Sequence, residues 1–241
     1  MIRTIFFDLD GTILPIDTNT FMHDYFAALA SFSAQTGQDV RFILKAIKTG
    51  ILGMISGDPE TTVAARYWQA FLNQVDPVAC DWTDLFERFY SEAFPLLKGD
   101  VKPDENMIAA LDEARKRGYR IVLATNPLFP ADAVHCRLGW ANVDPSIFEY
   151  ISTYDNSHFT KPDPRYYQEL LDTLDLQGSE TLMVGNDLTE DGAARSCGCD
   201  LYLVENNLML PEGVGMEALE DINHGSSADL LAFIKELPQI Q

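Results

Sequence analysis

The sequence predicts an α/β protein in which a parallel sheet lies between two layers of helices and is interrupted by an all-helical segment. Three observations support this class. "IFFDLDGT", residues 5–12, begins as a short apolar strand. From about residue 104, strand and helix patterns alternate, which is typical of a parallel sheet covered on both faces. Residues 15 to about 98 show apolar residues only at the three-to-four spacing of helices.

Four helices are predicted between the first strand and residue 98, in "FMHDYFAALASF", "VRFILKAIKTGILGMI", "TTVAARYWQAFLNQV" and "DLFERFYSEAF". The breakers "SGDP" and "VDP" separate the last three of them. We therefore expect a core domain formed by residues 1–14 and 99–241, and an inserted helical domain formed by residues 15–98. The aromatic residues of the insertion are expected to form its core rather than substrate contacts: Phe21, Tyr25, Tyr67, Trp68, Trp82, Phe86 and Phe89.

The rest of the chain supplies the remaining strands and helices. Strands are predicted in "YRIVLATN", "TLMVGN" and "DLYLVE", with a weaker one in "FEYIST". The helix in "ENMIAALDEARKRG" ends in basic residues, and Gly118 suits its left-handed cap. "DPRYYQELLDTL" has Asp163 as N-cap, "EDGAARSCG" is a short helix, and Ser226 and Asp229 suit a capping box before the last helix.

The composition of the chain disfavours several classes of binding partner. It has 241 residues, of which 46% are hydrophobic, and a formal charge of −20. Such a charge disfavours binding to nucleic acid and to anionic membranes. No apolar run approaches a membrane span, and acidic residues interrupt any signal-peptide pattern at the start. The four cysteines lack the spacing of a disulfide framework or zinc site. We expect a cytoplasmic protein, and the sequence predicts no particular protein partner.

Polar residues cluster where the predicted strands end. Because ligands bind at the carboxyl ends of parallel strands, we expect these side chains to converge. Carboxylates that converge repel each other, and a hard cation with oxygen ligands, above all Mg²⁺, relieves the repulsion. A phosphoryl group could then bind between the metal, a lysine and a threonine hydroxyl. The residues concerned are Asp8, Asp10, Thr125, Asn126, Lys161, Asn186, Asp187 and Asp191.

The order of these residues resembles the four motifs of the haloacid dehalogenase-like hydrolase superfamily. The matching stretches are "DLDGT", Thr125 at a strand end, Lys161 in "KPDP", and "GNDLTED". The helical insertion after the first motif resembles the C1 cap of that family, and the remainder resembles its three-layer Rossmann-like core. The resemblance implies a Mg²⁺-dependent phosphatase that acts on a small phosphorylated metabolite through an aspartyl-phosphate intermediate, similar to phosphoglycolate phosphatase.

The resemblance also implies which residues do the chemistry. Asp8 is expected to be the nucleophile, and Asp10 the general acid and then the general base. Mg²⁺ is expected to bind the Asp8 carboxylate, the Asp10 backbone carbonyl and Asp187. The fourth motif departs from the usual pattern, because Asn186 stands between Gly185 and Asp187. Asp187 is favoured as the metal ligand because an anion binds Mg²⁺ better than an amide does, but Asn186 remains an alternative.

The remaining motif residues are expected to bind the substrate or to orient its ligands. Thr125 and the backbone N–H of Asn126 are expected to hold phosphoryl oxygens, and Lys161 to neutralise Asp8 and the phosphate. Asp191 is expected to lie behind the direct ligands of the metal and to orient Lys161, with Asn186 beside it.

Two other functions stay open at this level. One is a phosphomutase of the same superfamily, and the other is a non-catalytic module that binds a phosphorylated ligand or a protein. Dehalogenation, the founding activity of the family, is disfavoured by Asp10. A halide leaves without a proton, whereas the alkoxide of a phosphate ester needs an acid.

Overall fold

The computed structural model describes residues 1–56 and 58–240, and its centre is a six-stranded sheet. All neighbouring strands are parallel, in the order β3-β2-β1-β4-β5-β6. The strands are β1 (Thr4–Phe7), β2 (Arg120–Leu123), β3 (Tyr150–Ile151), β4 (Thr181–Gly185), β5 (Asp200–Val204) and β6 (Asn223–Gly225). The first strand is therefore central, and its carboxyl end lies between those of β2 and β4.

Eight α-helices accompany the sheet in the described residues. Four of them lie between β1 and β2 in the first part of the chain, and a fifth precedes β2 directly. They are α1 (Thr18–Ser33), α2 (Val40–Ser56), α3 (Val63–Leu72), α4 (Trp82–Arg88), α5 (Glu105–Lys116), α6 (Ala131–Trp140), α7 (Pro164–Thr173) and α8 (Ser227–Glu236). The predicted three-layer α/β class with an all-helical insertion is confirmed.

The sheet is buried on both faces. Ile5 and Phe7 belong to one hydrophobic cluster, while Phe6 belongs to another on the opposite face. All three side chains are fully buried, as expected for a central parallel strand covered by helices on both sides. This burial explains why the last three residues of β1 are all apolar and the first carboxylate, Asp8, comes only after the strand ends.

Several local predictions are confirmed by the hydrogen bonds at helix ends. The Asp163 side chain accepts from the backbone N–H of Arg165, with Pro164 in the first turn of α7. Ser226 and Asp229 form the predicted capping box at α8. Gly118 has φ +86°, the left-handed conformation that ends α5 without the penalty of a β-carbon.

Other elements differ from the sequence-based expectation. "FEYIST" contributes only the two residues of β3, because the chain pairs with β2 over that length alone. "EDGAARSCG" forms a 3₁₀ helix over Gly192–Cys197 rather than an α-helix. "DLFERFYSEAF" is α-helical only to Arg88 and continues as a π-helical turn over Phe89–Ala93. The polar edge strand β6 carries no apolar alternation and was not predicted.

The helical segment, residues 15–98, is rich in aromatic contacts. The side chains predicted as its core are buried, apart from Trp68, which is partly exposed. Its hydrophobic cluster continues into the α/β part through Phe21, whose ring centroid lies 6.2 Å from that of Trp140 on α6. The division into domains at residues 14 and 98 stays a prediction.

The described residues include no helix that is both long and apolar enough to cross a membrane. All four cysteines are free thiols. The cytoplasmic location stays a prediction.

Candidate active site

A cleft of about 210 Å³ lies at the carboxyl ends of β1, β2 and β4. Parallel strands present their ends at one edge of the sheet, so motifs far apart in sequence meet there. The polar residues that line this cleft are Asp8, Asp10, Thr18, Thr125, Asn126, Asn186, Asp187, Glu190 and Asp191. The structure thus brings together every predicted site residue, with Lys161 in direct contact with two of them.

Lys161 lies between two carboxylates that line the cleft and does not itself line it. Its ammonium donates to Asp8 Oδ1 at 2.8 Å and to Asp191 Oδ1 at 2.6 Å, and its side chain has no exposed surface. The other oxygen of Asp191 accepts from the backbone N–H groups of Asn186 and Asp187. Asp191 therefore contacts both the lysine and the turn after β4, and its role in orienting Lys161 stays a prediction.

The charge of Asp8 depends on its neighbours. Burial raises the pKa of the Asp8 carboxyl to about 8, although the adjacent Lys161 ammonium lowers it. The carboxylates around Lys161, chiefly Asp191 and Asp8, raise the pKa of its ammonium well above the ordinary value, even though burial opposes this. A further positive charge in the cleft would favour the ionised form of Asp8, which is the form that can act as a nucleophile.

Asp10 is held by a residue that the sequence did not point to. The Arg137 guanidinium on α6 forms an ion pair with Asp10 Oδ2, and Arg137 has no exposed surface. The carbon at the centre of the guanidinium lies 4.3 Å from the ring centroid of Phe129, within cation–π distance. Asp10 Oδ1 and Arg137 Nη2 are buried and have no hydrogen-bond partner among the described residues.

The turn after β1 is shaped to approach the fourth motif closely. Gly11 has φ +85°, and a β-carbon at this position would lie 2.4 Å from Asn186 Nδ2. The Thr12 hydroxyl donates to Asn186 Oδ1 at 3.0 Å, and Asn186 Nδ2 donates to the carbonyl of Asn207 at 2.8 Å. Both ends of the Asn186 amide are therefore engaged in joining two loops.

Asp187 and Glu190 occupy the rim of the same turn. Asp187 Oδ1 accepts from the backbone N–H groups of Thr189 and Glu190, at 2.7 and 2.9 Å. The Glu190 carboxylate accepts from Asn126 Nδ2, with both oxygens at 3.1 Å, and burial raises its pKa. Glu190 was not singled out in the sequence, although its position between Asp187 and Asp191 could have suggested it.

Thr125 follows β2 and is almost fully buried. Its carbonyl oxygen accepts from the Tyr166 hydroxyl at 2.9 Å, which ties the end of β2 to α7. The same hydroxyl donates to Ser152 Oγ at 2.9 Å. These contacts fix the backbone at the position where the resemblance expects a phosphoryl-binding hydroxyl.

The donor chemistry of the cleft suits a hard divalent cation. Five carboxyl groups line it, and among the described residues two basic side chains, Lys161 and Arg137, form ion pairs with them. Oxygen donors and an excess of negative charge are what Mg²⁺ requires. Within the described ranges, no three His, Cys, Asp or Glu side chains form a preformed metal site. The predicted ligand set needs only two carboxylates, since its third ligand is a backbone carbonyl.

Comparison with known proteins places this fold and site in a family. The model of the haloacid dehalogenase-like hydrolases matches residues 2–198. A phosphoglycolate phosphatase of Nitrosospira multiformis is 25% identical over 209 residues, covering 84% of this chain and 83% of that protein. Pyrophosphatase PpaX of Bacillus velezensis is 27% identical over 200 residues, covering 82% and 80%.

Solved structures with the same fold include enzymes of two kinds. A 2-haloacid dehalogenase from Pseudomonas syringae pv. Tomato has a TM-score of 0.64 at 19% identity, covering 97% of this chain and 99% of that one. A phosphatase from Thermococcus onnurineus has a TM-score of 0.61 at 18% identity, covering 99% and 100%. At such identities the likeness shows the fold alone.

These comparisons confirm the predicted family and the predicted hydrolase class, and the names of the curated relatives agree with the prediction of a phosphatase. The matched region contains all four motifs and the helical segment between the first two. The chain belongs to the haloacid dehalogenase-like hydrolases.

Proposed function

We propose that this protein is a Mg²⁺-dependent phosphatase that hydrolyses a small phosphorylated metabolite through a phosphoryl group carried on Asp8. The observation that carries the proposal is the buried contact of Asp8 with Lys161, in the same cleft as Asp10. A carboxylate held beside an ammonium and facing a cleft is suited to nucleophilic attack on an anionic phosphorus centre.

The first step forms a bond from an Asp8 carboxylate oxygen to phosphorus and breaks the bond from phosphorus to the ester oxygen. Asp10 gives its proton to that departing oxygen, so the alcohol leaves neutral. Arg137 contacts Asp10 Oδ2 through the buried ion pair, which leaves Oδ1 to carry the proton that Asp10 donates. Lys161 balances the negative charge that develops on the phosphoryl oxygens.

The second step returns the enzyme to its starting state. Asp10, now ionised, takes a proton from a water molecule, and the water oxygen attacks phosphorus. The bond between phosphorus and the Asp8 oxygen breaks, inorganic phosphate leaves, and both carboxyl groups regain their original protonation. The Thr125 hydroxyl and the backbone N–H of Asn126 hold phosphoryl oxygens during both steps.

The metal ligands proposed for Mg²⁺ are the Asp8 carboxylate, the Asp10 backbone carbonyl and Asp187, with Asn186 as the alternative to Asp187. When bound, Mg²⁺ supplies positive charge beside the nucleophile and the phosphoryl oxygens. The formal excess of carboxyl groups in the cleft supports this assignment.

The helical segment, residues 15–98, is proposed to act as the cap of the cleft. Thr18, Phe21 and Met22 on α1 line the side of the cleft opposite the strand ends. A cap in this position would exclude water during phosphorylation of Asp8 and would contact the leaving group.

Acetyl phosphate is a suitable first substrate, because its leaving group is small and needs no particular pocket. We expect phosphate release in Mg²⁺ that stops on addition of excess EDTA and returns when Mg²⁺ is restored. Rapid quenching followed by mass spectrometry of the peptide containing Asp8 should detect a mass increase of one phosphoryl group.

Asp8→Asn should lower turnover by at least about 10⁴-fold, as loss of a nucleophile does in other enzymes. Asp24→Asn is the matched control, because Asp24 is exposed on α1 and pairs only with His23. Full activity of Asp8→Asn, or turnover that EDTA leaves unchanged, would contradict the proposal. A persistent phosphoenzyme that passes its phosphoryl group back to a sugar phosphate would favour the phosphomutase.

A further inference from the structure

The side of the cleft that faces away from the strand ends is apolar. It is formed by α1 and by the residues that follow Asn126 in the loop after β2. Apart from Thr18, its lining residues are Phe21, Met22, Leu128 and Phe129. A further apolar lining residue, Met209, lies beside the carboxylates, because it forms a β-bridge with Asp187. None of the residues that line the cleft in the described ranges is a lysine, arginine or histidine. The alcohol part of an ester bound at Asp8 must therefore face this surface.

A second, smaller cavity of about 50 Å³ continues the apolar side into the helical segment. Met22, Leu128 and Phe129 line both spaces, so the two adjoin. The deeper wall consists of aliphatic and aromatic side chains such as Ile47 and Phe86.

The only polar groups in this wall are neutral. The Tyr25 and Tyr90 hydroxyls lie 3.0 Å apart and hydrogen-bond to each other. Burial raises the pKa of Tyr25 to about 12, and that of Tyr154 to about 12 as well. No phenolate is present at neutral pH, and the wall offers no charge of either sign.

The basic side chains around the cleft are already engaged. Lys161 contacts two carboxylates, and Arg137 contacts Asp10 while its guanidinium lies against the Phe129 ring. Arg66, on α3, donates to the backbone carbonyls of Met54 and His158 and to two others nearby. Arg137 Nη2 has no hydrogen-bond partner in the described part of the chain, but it is buried, and Arg137 does not line the cleft. Among the described residues that line the cleft, a second anionic group on the substrate would therefore find no cation, and an unpaired carboxylate is costly to bury.

We infer that the preferred substrate is a phosphate monoester of an uncharged, apolar alcohol, of about the size of a benzyl group. This inference rests on the proposed phosphatase function and adds the class of its leaving group. An apolar cavity of about 150 Å³ admits benzene, so the cleft has room for a ring of this kind next to a phosphoryl group. Met22, Leu128 and Phe129 are the residues that select it.

Benzyl phosphate and 2-phosphoglycolate provide a direct comparison, because both have a primary alcohol as the leaving group and these alcohols differ mainly in charge and apolar surface. We expect the wild-type enzyme with Mg²⁺ to show kcat/KM for benzyl phosphate about 100-fold above that for 2-phosphoglycolate. An equal value, or a preference for 2-phosphoglycolate, overturns the inference.

Met22→Arg tests whether the absence of a cation is what excludes the anion. The arginine should reduce the preference for benzyl phosphate at least tenfold, by improving 2-phosphoglycolate and impairing the apolar ester. Val78→Arg adds the same charge at an exposed position outside the cleft and should leave the ratio unchanged. If both variants change the ratio of the two kcat/KM values equally, the effect of the arginine is not local to the cleft.

Binding separates failure of this inference from failure of the proposed function. Benzylphosphonate and phosphonoacetate are non-hydrolysable counterparts of the two esters, and calorimetry can compare their affinities for the wild-type protein with Mg²⁺. Tighter binding of benzylphosphonate supports the inference even if no ester, acetyl phosphate included, is turned over. Tighter binding of phosphonoacetate overturns it, even if the protein proves to be an active phosphatase.

Discussion

The two sides of the cleft are built in different ways. The strand-end side holds five carboxyl groups, and Lys161 and Arg137 are buried against three of them. The opposite side presents Met22, Leu128 and Phe129 and carries no charge. This difference implies that chemistry and selection are separable. Changes on the charged side should affect every ester, whereas changes on the apolar side should affect esters according to their alcohols.

After loss of the nucleophile Asp8, the largest effect on the charged side is expected at Asp10. Asp10→Asn keeps the backbone carbonyl for the metal and removes the general acid. Acid assistance typically contributes about 10²–10⁴-fold, so phosphorylation of Asp8 by an alkyl phosphate should slow by that factor. An aryl phosphate, whose leaving group needs less assistance, should slow less. Single-turnover experiments with both esters measure the two rates.

Equal slowing of the two esters would mean that Asp10 does not act as the acid. Release of halide from a 2-haloacid by the wild-type enzyme would remove the main support for phosphoryl transfer. In the Asp10→Asn variant, the phosphoenzyme should be hydrolysed slowly whichever ester formed it, because the variant lacks the general base of that step.

The next largest effect is expected on the free energy of unfolding when Lys161 is replaced. Lys161→Met leaves the Asp8 and Asp191 carboxylates without their common partner in a buried position. Removing one member of a buried ion pair typically costs about 3–5 kcal/mol, and urea denaturation should show a loss of this size in the free energy of unfolding. Lys102→Met, at an exposed position, is the matched control.

The double variant Lys161→Met with Asp191→Asn sharpens that measurement. If the loss of stability comes from a buried carboxylate left without a partner, the second substitution should recover part of the stability rather than add to the loss. Additive losses would show that Lys161 stabilises the fold by packing instead.

The difference between the two sides of the cleft also explains which parts of the structure could be predicted from the sequence. The residues of the charged side follow directly from strands and stand in short motifs, so Asp8, Asp10, Thr125 and Lys161 could be predicted to converge. Arg137 could not, because it reaches Asp10 from the last turn of α6, and only the packing of that helix brings the two together.

The apolar side shows the same limit. Phe21 was expected to be a core residue of the helical segment, and it is buried, but it also borders the cleft. A helical pattern predicts which side chains turn inward, but it does not say which of them end beside a ligand. The edge strand β6 escaped prediction, and β3 is shorter than the strand predicted in "FEYIST", for a related reason, since their pairing depends on neighbours far away in sequence.

A smaller effect is expected on metal binding at the rim of the charged side. Asp187→Ala should weaken Mg²⁺ binding by at least about 10–100-fold, and Asn186→Ala should weaken it less. Calorimetric titration with Mg²⁺ and the Mg²⁺ dependence of turnover give two independent readouts. Asp187→Asn keeps an acceptor for the Thr189 and Glu190 N–H groups, so it separates loss of charge from loss of the turn.

If Asn186→Ala weakens Mg²⁺ binding more than Asp187→Ala does, Asn186 is the metal ligand. The amide of Asn186 already accepts from Thr12 and donates to Asn207, so its loss should mainly loosen the two loops. A lower unfolding free energy with an unchanged Mg²⁺ titration is the result expected for Asn186→Ala.

The smallest effect is expected on the apolar side, at Leu128. This side chain is only partly buried, so Leu128→Ala should cost about 1 kcal/mol of stability, less than the range typical of fully buried leucines. It lines both the cleft and the adjoining cavity, so kcat/KM for benzyl phosphate should fall several-fold. The Mg²⁺ titration and the turnover of acetyl phosphate should stay unchanged, because no charged group of the cleft is altered. If Mg²⁺ affinity or acetyl phosphate turnover falls as much as benzyl phosphate turnover does, the two sides of the cleft are coupled, and selection cannot be separated from chemistry in this enzyme.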